Sequence, residues 1–189
     1  MINILIDRLP MKIDGININT DFRISILFEL MMQDNELSDV EKIKQALILY
    51  YPNFEKITDY KEAIQNIIWF YKGGKKENVD KEVKKNNNKE KQIYSYEFDA
   101  EYIYSAFMEQ YNIDLNSIDY LHWWKFKALF NSLNENVMFS KIMEYRAMDL
   151  NKIKDKEMKK HYKKLKEIYK LPDMRSEEEK EDDFAEALW

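Results

Sequence analysis

The chain of 189 residues is 45% hydrophobic, 14% aromatic and 34% charged, enough to bury one substantial core, and it carries only three Gly and three Pro. It has no cysteine, which excludes disulfides and thiolate metal centres, so a reducing cytosol suits it. The net charge of −5 conceals local asymmetry: residues 72–92 hold eight Lys against four acids, residues 152–170 nine Lys against three, and residues 173–189 two bases against eight acids.

Few breakers beside abundant Lys, Glu, Leu, Ile and Met predict a mostly α protein, a helical bundle with a small N-terminal β-hairpin. The first residues, MINILIDRLPMKIDG, lack a basic stretch followed by a long apolar one. No apolar run approaches the roughly 18–20 residues that span a bilayer. Neither secretion nor a membrane span is expected. The segments ILID, MKID and ININ alternate, and Asp14-Gly15 has the chemistry of a tight turn.

Thr20 or Asp21 then caps a helix whose apolar members, Phe22, Ile24, Leu27, Phe28, Leu30 and Met31, recur at helical spacing. Ser38 with Glu41 forms a capping box before Ile43, Leu47 and Tyr50, and Pro52 stops that helix. Asp59 with Glu62 repeats the device before Ile64, Ile67, Ile68, Phe70 and Tyr71, and Gly73-Gly74 ends it. The next stretch, GGKKENVDKEVKKNNNKEKQ, has two apolar residues among twenty, too few to offset the entropy of ordering, so a solvated linker or long loop is expected.

Beyond it, Asp99 is expected to cap a helix marked by Tyr102, Ile103, Phe107, Met108 and Tyr111. Residues 118–133 follow with apolar side chains nearly all round a helix, which places that helix at the centre of the bundle. A helix over 137–148 comes next, and Asp149 or Asn151 opens a Lys-rich one ending at Leu171-Pro172. The expected organisation is therefore 1–72 hairpin plus helices, 73–95 charged linker, 96–172 C-terminal helical region and 173–189 acidic tail with an apolar end.

Catalytic signatures are missing. His122 shares a helical stripe with Phe126, Leu129 and Leu133, so packing is the expectation, since catalysis would need a positioned partner. His161 follows Glu157 by one turn, but no further ligand lies nearby and the surrounding lysines oppose a cation. There is no phosphate loop, dinucleotide fingerprint or GxSxG elbow. No enzyme, cofactor or metal is expected.

The helix KIKDKEMKKHYKKLKEIYK sets Met158, Tyr162, Leu165 and Tyr169 on one stripe and projects its lysines outward. A solvated face or protein contact explains this, and so does nucleic-acid binding through phosphates, although arginine is absent from the segment. In the ending DDFAEALW, Asp183 and Glu186 can cap a turn that presents Phe184, Leu188 and Trp189 as a docking segment; a frayed terminus is the competing expectation.

Four segments, NTDFRISILFEL, FDAEYIYSAFMEQYNIDL, DYLHWWKFKALFNSL and SKIMEYRAMDLNKIKDKEMKKHYKKLKEIYKLPD, resemble the bacteriophage gene-product-fifteen family, encoded among the tail genes of siphophages and prophages of Gram-positive bacteria. The likeness spans most of residues 1–172, and Phe98 to Asp149 carries most of its specificity; the spacer and acidic tail lie outside it. It implies a non-catalytic tail-assembly chaperone in the cytoplasm of the bacterial host, absent from the mature virion. Such a protein would bind and solubilise the tape-measure protein, help recruit the tail-tube protein, and could form a homo-oligomer. Grooves between amphipathic helices suit a long client with apolar stripes. The contact candidates are Trp123, Trp124, Tyr145, Arg146 and Met148, with Phe184, Leu188 and Trp189 at the end; two adjacent tryptophans cannot point the same way on a helix, so one can approach the surface, although core packing explains each tryptophan more often than binding does. A nucleic-acid-binding protein and a minor structural tail component are the alternatives.

Overall fold

The computed structural model describes residues 2–75 and 92–173. Two short strands, β1 (Lys12–Ile13) and β2 (Ile16–Asn17), pair antiparallel with Lys12 opposite Asn17 and Ile13 opposite Ile16. Asp14 and Gly15 between them have φ of 48° and 79°, the two left-handed positions whose twist matches a two-residue hairpin. Strands this short need outside support. It comes from Ile13 and Ile18, which are buried, and from Asn19, which donates its amide to the Tyr50 carbonyl and its side chain to that of Leu49.

Seven helices are described: α1 (Phe22–Gln33), α2 (Asp39–Tyr50), α3 (Tyr60–Tyr71), α4 (Ala100–Tyr111), α5 (Trp123–Asn131), α6 (Met138–Ala147) and α7 (Lys156–Ile168). The protein is thus mostly α with an N-terminal hairpin, as its composition predicts. Local chemistry fixes many of the helix ends. The Asp21 carboxylate accepts the Arg23 N–H at the start of α1. Ser38 and Glu41 form the reciprocal capping box of α2. Asp59 accepts the Glu62 N–H to start α3, which gives way to Gly73 and Gly74, both left-handed.

Helix α5 is the centre of the core. Phe126 is fully buried and stacks on Phe22 of α1 at 4.9 Å and on Phe107 of α4 at 5.0 Å, with Trp123 and Phe130 beside it. Each such ring pair contributes about 0.5–1.5 kcal/mol beyond the area it buries. Around α5, helix α1 packs on α2 and α2 on α3, while α4 packs on α6 and α6 on α7. The segments before and after residues 76–91 therefore share one core. None of the described helices is long and apolar enough to cross a membrane.

Three local expectations are corrected. Residues 118–121 are not helical; α5 begins only at Trp123, and the residues just before it are held against the start of α1, with Phe22 N–H donating to the Leu121 carbonyl and Trp123 N–H to that of Thr20. The Lys-rich helix is capped by Asp155 rather than by Asp149 or Asn151, because Asp149 instead caps a separate 3₁₀ turn at Leu150–Lys152. Asp99 stands at the start of α4 but does not cap it, its carboxylate being engaged elsewhere. Of the expected 73–95 linker, Tyr94 and Ser95 are packed in the fold and residues 76–91 lie outside the described residues, as do residues 174–189 of the acidic tail.

Candidate functional site

His122 is the N-cap of α5. Its Nδ1 accepts the Trp124 N–H at 3.1 Å, which leaves the proton on Nε2 to meet the Pro10 carbonyl at 3.2 Å. The ring is 2% exposed. Burial pushes its pKa below the ordinary value, the Pro10 carbonyl opposes this, and Lys125 adds to it. Both nitrogens are committed to structure, so His122 packs, at a helix start rather than within a helical stripe.

Trp123 and Trp124 are both buried, so each packs in the core and neither approaches the surface as a contact candidate. The end of α3 explains this. Trp123 Nε1 donates to the Tyr71 carbonyl at 2.8 Å and Trp124 Nε1 to the Phe70 carbonyl at 2.7 Å, carbonyls at the last turn of that helix. The rings stack on Tyr71 and Phe70 respectively. Two indoles on different sides of α5 can both be buried because the end of α3 covers its first turn, while Lys125, Ala128 and Asn131 leave another stripe of the helix exposed.

Arg146 is likewise a core residue rather than a surface cation. It is 6% exposed and its guanidinium meets both carboxylate oxygens of Asp99, itself 1% exposed, at 2.6 and 2.9 Å. It also donates to the carbonyls of Ile93 and Tyr169, while Asp99 accepts the Ser95 N–H. This clamp joins the entry to α4, helix α6 and the end of α7. Tyr145 and Met148 are half-buried; the Tyr145 ring lies between Tyr162 and Tyr169 of the α7 region. Phe184, Leu188 and Trp189 lie outside the described residues.

A polar cluster that sequence periodicity does not foreshadow joins α1, α3 and α5. The Tyr71 hydroxyl donates to Glu29, and the Lys127 ammonium donates to the Tyr71 carbonyl while lying over the Tyr71 and Trp123 rings. Burial pushes the Glu29 carboxyl up and the Lys127 ammonium down; Tyr71 and nearby Tyr96 are pushed up as well. The groups satisfy one another and tie helices together. A cavity of about 60 Å³ lies away from them, between the hairpin and α3, lined by Ile13, Ile16, Tyr51 and Ala63 with Asp14, Asp59 and Glu62 at its edge. Among the described residues no group of three His, Cys, Asp or Glu side chains could hold a metal.

The surface offers more than the interior. Along α2 the stripe Val40, Ile43, Leu47, Tyr50 repeats at helical spacing, but only its later half is covered: Leu47 and Tyr50 are buried, whereas Val40 is 75% exposed and Ile43 is also exposed. On α1 the stripe Phe22, Ser25, Phe28 likewise runs on to an exposed Met32. The α1–α2 hairpin thus reaches past the core and leaves its inner stripe open at the tip, where Lys42 Nζ bonds the Met32 carbonyl across the pair. Near the N-terminus, a turn closed by Asn3 and Asp7 holds Leu5 and Ile6 outward, 88% and 80% exposed. Helix α4 exposes Tyr102, Tyr104 and Met108, and the turn before it exposes Phe98. The 3.6-residue spacing of Val40 and Ile43 was visible in the sequence, but not that their stripe outruns the core.

Several large apolar side chains thus remain exposed on the helices, while no buried side-chain polar atom of the described residues lacks a hydrogen-bond partner. A family model described as Bacteriophage Gp15 protein matches residues 5–171. No curated protein and no solved structure matches the chain.

Proposed function

This chain belongs to the bacteriophage Gp15 protein family, and from that premise we propose that it is a non-catalytic tail-assembly chaperone for the tape-measure protein. The observation that carries this is the open end of the α1–α2 hairpin, where Met32, Val40 and Ile43 continue the core stripes into solvent. Two antiparallel helices with an uncovered seam can accept a third amphipathic helix in the way they pack one another. A tape-measure protein, long and helical with apolar stripes, offers many such helices, and repeated weak contacts along it act through avidity. Work of this kind belongs in the host cytoplasm before the virion matures, with the tail-tube protein as a second partner.

The test is co-expression with the tape-measure protein of the same tail-gene cluster, followed by pull-down and sizing of the soluble fraction. A soluble complex of many copies per client is expected, and Val40→Ser/Ile43→Ser should lose it while keeping the fold. An insoluble client with nothing co-purifying, together with normal tails after gene deletion, would sink the proposal. The outward lysines of α7 support a second reading, nucleic-acid binding, which predicts DNA or RNA affinity that falls steeply with salt.

A further inference from the structure

Two surfaces of this chain are chemical opposites. From Ile93 to Trp124 there are six acidic residues and no Lys or Arg. One of the six, Asp99, is buried on Arg146; Glu97, Glu101 and Glu109 stand on the exposed side at α4. There they are interleaved with Phe98, Tyr102, Tyr104 and Met108, all exposed. The opposite side of α4, carrying Ile103, Ala106 and Phe107, is in the core, so the acidic, aromatic side faces solvent, with its four large apolar side chains 37–42% exposed.

Helix α7 is the converse. It packs on α6 through its Tyr162 and Leu165 side and buries no residue fully. At 100° per residue, Lys156, Lys160, Lys163 and Lys164 fall on the side away from Tyr162 and outnumber Glu157 and Glu167 there, and all six are exposed. Residues 152–170 carry nine Lys against three acids. Lysine suits an aromatic and acidic surface on two counts, because its stem covers apolar area while its ammonium reaches a carboxylate or a ring face.

We propose that the acidic, aromatic face of α4 is the docking site for the lysine face of α7 from a second copy of this chain. The two patches are different, so the contact is head-to-tail: each copy joined at one face keeps the other open, and growth continues until a ring closes or a filament forms. The contact is charge-steered and salt-sensitive, since both faces are exposed.

The experiment is sedimentation equilibrium of the full chain from low to high micromolar concentration, at low and high salt. The average mass should climb past that of a dimer at low salt, and association should weaken roughly tenfold or more at high salt. Glu101→Lys/Glu109→Lys and Lys160→Glu/Lys163→Glu should each remain monomeric, with unchanged circular dichroism because all four positions are exposed. Mixing the two variants should restore association, as each then offers the other a complementary face. A wild-type monomer at every concentration, association unaffected by either variant, or a mixture that stays monomeric would overturn the proposal; the first result would leave the lysines for a nucleic acid or another protein.

Discussion

Arg146→Met should remove the clamp that holds α7 to the bundle while keeping most of the side-chain stem. The guanidinium makes two bonds to Asp99 and one each to the carbonyls of Ile93 and Tyr169. Without it Asp99, 1% exposed, keeps only the Ser95 N–H as a named partner. Breaking a buried pair on one side costs about 3–5 kcal/mol. Against a total stability of about 5–15 kcal/mol, the urea midpoint should fall by roughly a fifth or more. Asp99→Asn/Arg146→Met removes both charges, and should cost less than the two single changes together by about 1–3 kcal/mol. Amide exchange should accelerate first in α7, whose end loses its bond at Tyr169. A variant within about 0.5 kcal/mol of the parent, the range of ordinary surface changes, would refute the reasoning.

Two other perturbations probe the α3–α5 junction. Because burial lowers the His122 pKa in the fold, the unfolded chain takes up the proton first as pH falls below its ordinary 6.5. The stability from neutral His122 is thus present above that value and lost as pH falls through the folded pKa. His122→Asn, which can still cap α5, should show a shallower loss of stability between neutral pH and mildly acidic pH; identical pH slopes in urea titrations would contradict the cap geometry. Gly74→Ala should destabilise far more than Gly73→Ala. Both residues have φ above +70°, a cost of about 1–2 kcal/mol for a side chain, but a Cβ on Gly74 would sit 2.5 Å from the Trp124 ring whereas Gly73 faces open space. Equal melting temperatures for the two variants would argue against that ring position.

What could be read from the sequence was what residues decide with near neighbours. Asp14-Gly15, Asp21, Ser38 with Glu41, and Asp59 all act within three positions of themselves, and each appears in its expected role. The misreadings are long-range. Ile118 and Leu121 continue the apolar period of α5, yet their backbone is held out of that helix by contacts to residues 20–23, including Arg23 donating to the carbonyls of Leu115 and Ile118. Arg146 resembles a surface cation until Asp99, 47 positions away, is placed beside it. The tryptophans are in the same position, since the carbonyls that bind their indoles lie more than fifty residues earlier.

The bridge between Asp21 and His122, with Leu121 N–H bonded to the Asp21 carboxylate across 100 positions, also sets a timetable for synthesis. At about 5–20 residues per second, a ribosome needs on the order of 5–20 s to travel from one partner to the other. For all of that interval Phe22 has been made, and for its later half Phe70 as well, but Phe126 and Trp124 of α5, the rings that stack on them, have not. The nascent N-terminal half must wait, partly open, and a substitution that slows elongation between Gly74 and Trp123 would lengthen the wait without altering a single contact of the finished fold.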